Sequence, residues 1–206
     1  MHIPDGFLTL PILISTNIAS ASILYPSIKR VNKKLTNKMI PLMGISAAFI
    51  FTSQMLSFPV FTGTSVHISG AVLIAALLGP FSGVIITSSA VILQSLLFQH
   101  GGILTLGANI LNIAIVQSLI GYIIYRSFTK SRRILGLGIA TFFSKIIASA
   151  FCAIELILSG TIPLKAGLIG MLSSHAIIGL IEAIILSAVF GVIIKLRPDI
   201  LVMKKI

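Results

Sequence analysis

Apolar runs of about twenty residues recur along this chain, separated by short loops, and no other feature restricts its fold as much. A helix rises about 1.5 Å per residue, so roughly 20 apolar residues match the ~30 Å hydrocarbon layer of a bilayer. Hydrophobic residues make up 56% of the 206 and charged residues only 9%, against about a quarter charged in a soluble domain. The pattern predicts an all-α fold, a polytopic membrane helical bundle of seven transmembrane helices. The first span runs from about Leu8 to Ile28 and the second from about Met39 to Leu56. Ile68 to Phe98 reads as two short spans, with Leu78-Gly79-Pro80-Phe81-Ser82-Gly83 as the tight turn between them. The remaining spans run from about Leu106 to Tyr125, Ile134 to Leu158 and Ala166 to Ile194.

A net charge of +11 raises the question of a nucleic-acid partner. The basic residues fall in loops between apolar runs rather than in a stripe, so membrane lipid is the expected partner and nucleic acid is not. Lys29, Arg30, Lys33, Lys34 and Lys38 follow the first span. Arg126, Lys130, Arg132 and Arg133 follow the fifth, and Lys195, Arg197, Lys204 and Lys205 the seventh. Seven crossings put all of these on one side, whereas a single crossing over Ile68 to Phe98 divides them. By the positive-inside rule that side is cytoplasmic. The N-terminus is then extracellular and the C-terminus cytoplasmic, in a multi-pass protein of the cell membrane. Lys165 is left outside and Lys145 within a span. No positive residue precedes the first apolar run, which argues against a cleavable signal peptide. The single cysteine, Cys152, excludes an intramolecular disulfide and reads as a packed thiol.

This topology brings the opening Met1-His2-Ile3-Pro4-Asp5-Gly6-Phe7-Leu8, the loop Ser57–Ser69 with its His67, and the loop Gln99–Asn109 to one face. A bulky residue at position two protects an initiator methionine, so Met1 is expected to keep a free α-amine. That amine, the amide nitrogen between Met1 and His2, and the His2 imidazole can close five- and six-membered rings on one metal. Peptide planarity keeps the three nitrogens nearly coplanar. A fourth nitrogen completes a square, a geometry suited to Ni(II) or Cu(II), with low-spin Co(II) a further candidate, rather than to Zn(II) or Mg(II). Taken alone, a terminal Met-His pair is more often a disordered end. Here Ile3-Pro4-Asp5-Gly6 is a turn-forming run that can fold the terminus back onto the bundle. His67, on residues alone, reads equally as a metal ligand or as a buried, hydrogen-bonded histidine.

The opening octapeptide, Phe61-Thr62-Gly63-Thr64-Ser65-Val66-His67, Leu97-Phe98-Gln99-His100-Gly101-Gly102, Gly107-Ala108-Asn109 with Asn112, Ser174-His175-Ala176 and Glu182-Ala183 form one pattern. On these residues the chain closely resembles, over essentially its whole length, the CbiM/NikM family. These are the substrate-capture (S) components of energy-coupling factor transporters for cobalt and nickel. His100 departs from the pattern, standing where an acidic residue is expected. The resemblance implies that Met1, His2 and His67 hold Ni(II) or Co(II), the transported substrate, through four nitrogens: amine, amide and two imidazoles. It also implies one domain over 1–206, in which residues 1–28 add a metal-binding segment and an extra first helix to a six-helix core at 39–194. The implied partners are a transmembrane coupling (T) subunit, two cytoplasmic ATPase subunits and a small accessory membrane subunit.

Thr64, Ser65, Asn109 and Asn112 are candidates to orient the histidines, although helix capping or interhelical packing explains each as well. His175 is a further candidate around the metal. By depth along the spans it also matches Glu155, just as Lys145 matches Glu182, which suggests two interhelical polar pairs. Gly44 and Ala48 mark a face for close helix approach. No phosphate-binding Gly-x-x-x-x-Gly-Lys-Ser/Thr run and no His-Glu-x-x-His occur, and only four acidic residues are present. The chain is therefore expected to be a transport component that leaves ATP hydrolysis to its partners, not an enzyme. A tight chelate also disfavours a channel. A membrane metal sensor or storage protein without a transport cycle is the alternative.

Overall fold

Glycine and proline punctuate the apolar runs, and the computed structural model, described for residues 1–59 and 65–202, breaks its helices at them. In chain order the elements are α1 (Leu10–Asn32), α2 (Met39–Met55), a β1 (Ser57–Pro59) and β2 (Ser65–His67) hairpin, α3 (Ala71–Leu78) and α4 (Pro80–Phe98). There follow α5 (Leu106–Arg126), α6 (Arg133–Leu158), α7 (Leu164–Leu196) and the short α8 (Asp199–Val202). Among the described residues, five helices (α1, α4, α5, α6 and α7) are long and apolar enough to cross a membrane, and α2 is shorter at 17 residues. Thr64 lies outside the described residues.

The Ile68 to Phe98 stretch differs from two matched short spans. Gly70 and Gly79 both take positive φ, 72° and 95°, and end α3 on either side, so it has eight residues. That is about 12 Å of helix, too short to cross a bilayer by itself. All of α3 is buried. Pro80 starts the next helix at once, its missing N–H harmless in the first turn, and the turn falls at Gly79, within the expected Leu78–Gly83 run.

Two poles result. At one, Leu78, Gly79 and Phe81 share a cavity of about 430 Å³ with Arg30, Lys34 and Tyr122. Ile200 joins Leu77 and Leu78 in the same apolar cluster. Arg30 and Lys34, from the basic cluster that follows α1, thus sit beside the α3–α4 turn. At the other pole the segment before α1 meets the β-hairpin, the α4–α5 loop and the α6–α7 turn. There the Thr9 N–H donates to Ser159 Oγ at 3.1 Å, and the Thr161 hydroxyl donates to the Phe7 carbonyl. Helices α6 and α7 pack along each other more extensively than any other two elements. Within α5 the stretch Ile110–Val116 is π-helical. Such turns shift the side-chain register and concentrate at functional sites.

Candidate metal centre

The site is built from the first three residues inward. Ile3 is fully buried, against Ala108, Cys152, Leu156 and Met171. Met1 lies among Val84, Val91, Ile113, Ala114 and Ala148. Each burial contributes roughly 1.5–3 kcal/mol relative to leaving the side chain in water, so the terminus is anchored on both sides of His2. Polar groups fix its path. Asn109 Oδ1 accepts the Ile3 N–H at 2.7 Å and Asn109 Nδ2 donates to the Ile3 carbonyl at 3.1 Å. That carbonyl also accepts from Thr105 Oγ1 at 2.6 Å and from the Gly102 N–H at 2.9 Å. The Asp5 carboxylate accepts the N–H groups of Ile103, Leu104 and Thr105 at 3.0, 2.9 and 3.2 Å. A Cβ on Gly102 would stand 1.9 Å from Asp5 Oδ1, so only glycine lets the two segments come this close.

His2 and His67 are 3% and 1% exposed, with ring centres 4.6 Å apart. His2 Nε2 donates to Gln94 Oε1 at 3.1 Å, and Gln94 Nε2 in turn donates to the Phe51 carbonyl at 3.2 Å. That partner keeps the proton on Nε2 and leaves Nδ1, the atom a terminal chelate uses, with a buried lone pair and no partner. His67 shows the complementary arrangement. Its Nδ1 donates to the Ile68 carbonyl at 3.3 Å, and Nε2 is buried without a partner. A metal–nitrogen bond of about 2 Å puts an imidazole centre about 3 Å from the ion, so two imidazoles at right angles on one ion have centres about 4.4 Å apart. The observed spacing fits that arrangement. The Met1 amine contacts the Ser65 carbonyl on β2, beside His67. Burial lowers this amine's pKa to about 5, and burial first, then neighbouring bases, holds both imidazoles well below their ordinary range. All three nitrogen bases are therefore neutral at pH 7 and able to donate to a cation. Among the described residues no three His, Cys, Asp or Glu side chains group as a cage; a chelate that starts from the backbone needs only two imidazoles.

The remaining candidates take other places. Ser65 offers its carbonyl rather than its hydroxyl, which has no partner. Asn109 orients Ile3 and not a histidine. Asn112, inside the π-helical stretch, donates to Glu155 Oε2 at 2.6 Å. This corrects the expected Glu155–His175 pair: His175 Nδ1 instead bonds the Met171 carbonyl one turn back on its own helix, at 2.8 Å. Equal depth does not ensure equal facing, and the altered register of α5 points Asn112 at the carboxyl group. The Lys145–Glu182 pair does form, at 2.5 Å and fully buried. It also grips the segment after His67. Lys145 Nζ donates to the His67 carbonyl at 2.6 Å, while Glu182 Oε1 accepts the Ser69 and Gly70 N–H groups at 2.9 and 3.0 Å and the Ser69 hydroxyl at 2.9 Å. Gln94 was not among the sequence candidates. Its signal was a lone amide in the apolar run of α4.

A helical membrane bundle with a buried nest of nitrogen donors at one pole has the build of a transition-metal handling protein. Residues 2–200 match the family described as the cobalt uptake substrate-specific transmembrane region, CbiM, and the chain belongs to that family. A putative fused nickel transport protein of Archaeoglobus fulgidus is 39% identical over 99% of this chain and 69% of its own. A putative metal transport protein of Haloquadratum walsbyi is 34% identical over 97% of this chain and 92% of its own. The crystal structure of a transition metal transporter superposes with a TM-score of 0.90 at 33% identity, covering 99% of this chain and 97% of the other. The chain is thus a multi-pass membrane transport component, and not an enzyme.

Proposed function

We propose that the chain is the substrate-capture component of an ATP-driven energy-coupling factor importer, taking Ni(II) or Co(II) from the outer face. The four donors are the Met1 amine, the Met1–His2 amide nitrogen, His2 Nδ1 and His67 Nε2. One observation carries this reading: two buried imidazole lone pairs without partners converge beside an amine that burial keeps neutral. Leaving such atoms unmet costs free energy, and a divalent cation meets all of them at once. The ion displaces the amide proton, so the pocket gains a single net charge. Selectivity then comes from planar geometry, since affinity alone favours Cu(II).

The pole with the metal site faces outward and the basic pole faces the cytoplasm, in seven crossings of which the third is the non-helical Ile68–Gly70 followed by α3. A chelate this tight does not release its ion unaided. Release is assigned to a transmembrane coupling subunit, two cytoplasmic ATPase subunits and a small accessory membrane subunit, with the exposed Gly44–Ala48 face of α2 a candidate contact. The decisive experiment is metal analysis of the purified chain with its native N-terminus and with one residue added before Met1. Addition converts the amine to an amide, moves the histidine to third place and should abolish binding; unchanged stoichiometry and spectrum would overturn the reading. Radiometal uptake with and without the partner subunits separates an importer component from a sensor or store.

A further inference from the structure

A third imidazole packs on the His2–His67 pair. The ring of His100 stands 4.2 Å from that of His2, tilted by 57°, and the ring contacts run in the order His100, His2, His67. Burial increases along the same order: His100 is half-buried, His2 nearly closed off and His67 closed off. His100 Nε2 is nevertheless shut away from solvent and has no partner. A ring that served only as packing against His2 could be apolar and would strand no nitrogen. Its chain neighbours Gln99 and Gly101 line a cavity of about 260 Å³ with Pro4, Asp5, Ser95 and Gly102, to which the His100 ring itself does not contribute.

We propose that His100 is the mouth ligand of the site. Resting on the four-nitrogen reading above, this assigns His100 a transient bond to the incoming divalent ion, which His100 and His2 hold before it moves inward. The hydrated ion exchanges one water for His100 Nε2 and a second for His2. The Met1 amine and His67 Nε2 then displace further waters, the bond to His100 breaks as the bond to the amide nitrogen forms, and the amide proton leaves to a displaced water. No electron is transferred. The ion ends bound to four nitrogens and His100 returns to its unpartnered state. Because His100 takes part only in transit, it controls rates and not the final complex.

Stopped-flow mixing of the purified chain with NiCl₂, followed at the absorption band of the completed complex, tests this. His100→Ala and His100→Phe should each slow association about tenfold or more. They should slow transfer of bound Ni(II) to excess chelator by a similar factor, leaving stoichiometry and final spectrum unchanged. Unaltered rates in both variants overturn the proposal. So does a wild-type rate in His100→Phe alone, which would show that the ring acts by packing. A changed final spectrum overturns it too, by making His100 a permanent ligand. The chain extended by one residue, run alongside, reports on the four-nitrogen reading separately: if it still forms the same complex, that reading has failed whatever His100 does.

Discussion

Two buried constellations of ionisable groups lie beside each other, and they handle the low-dielectric interior in opposite ways. Lys145 and Glu182 carry opposite charges and meet at 2.5 Å, with Ser69, Gly70 and the His67 carbonyl completing the set. Met1, His2 and His67 carry only bases, without any carboxylate among them, and leave two lone pairs unmet. Buried ions survive when paired, and buried bases survive by staying neutral. The first solution is complete without a ligand and the second is not. The two are joined through the segment His67–Gly70, so the complete one sets the backbone from which the incomplete one presents His67.

Removing a donor breaks the incomplete set most severely. His2→Ala should bring metal occupancy of the purified chain below detection by elemental analysis. The metal-free protein should lose about 1–3 kcal/mol, since Gln94 Oε1 is left without its donor but no charge is left unpaired. The complete set responds the other way. Lys145→Met strands the Glu182 carboxylate and is expected to cost about 3–5 kcal/mol, as for other broken buried pairs. Lys145→Met with Glu182→Leu should recover much of that stability in thermal unfolding while metal affinity stays reduced, because the His67 carbonyl has lost its Lys145 donor in both. Equal damage from the single and double changes would count against the pairing.

Much of this is legible in the amino-acid sequence. Apolar run lengths placed the helices to within a few residues of their ends, and depth counting matched Lys145 with Glu182. Depth is an axial coordinate, however, and gives no azimuth. That is why it matched Glu155 with His175 when Asn112, displaced by the π-helical stretch, faces the carboxyl group instead. The brevity of α3 was equally hidden, because an unbroken apolar run reads the same whether it meets lipid or protein. Around the metal centre, spacing drew attention to Met1 and His2, whereas Gln94 and Asp5 act across loops of very different sequence number, a relation that a single sequence does not display.

A smaller effect sharpens the contrast between fixing a donor and being one. Asn109 touches no proposed ligand atom, yet both its amide atoms hold Ile3. Asn109→Ala should weaken Ni(II) binding by about 10- to 100-fold, the usual range for a residue that orients a metal ligand. The spectrum of the bound ion should not change, as checked by titration against a competing chelator. A change in the spectrum would mean that the plane itself had been altered.

Acid should act through the incomplete set. Burial holds the Met1 amine at about 5 in the folded chain, against 8.0 when exposed. Across that window the unfolded or released terminus binds a proton that the docked terminus excludes. Docking is therefore fully favoured above about pH 8 and loses stability as pH falls toward about 5, with no further loss from this group below that. The His2 and His67 imidazoles, also lowered by burial, act in the same direction from their ordinary range downward. In metal-free protein the Gly102 amide, bonded to the Ile3 carbonyl, should show lower hydrogen-exchange protection at pH 5.5 than at pH 8 once intrinsic rates are divided out. Bound Ni(II) should remove most of that dependence, because release of the terminus must then break metal–nitrogen bonds as well. If protection at Gly102 is flat with pH in the metal-free chain, the amine is not buried as a neutral base, and the distinction between the two constellations loses its physical ground.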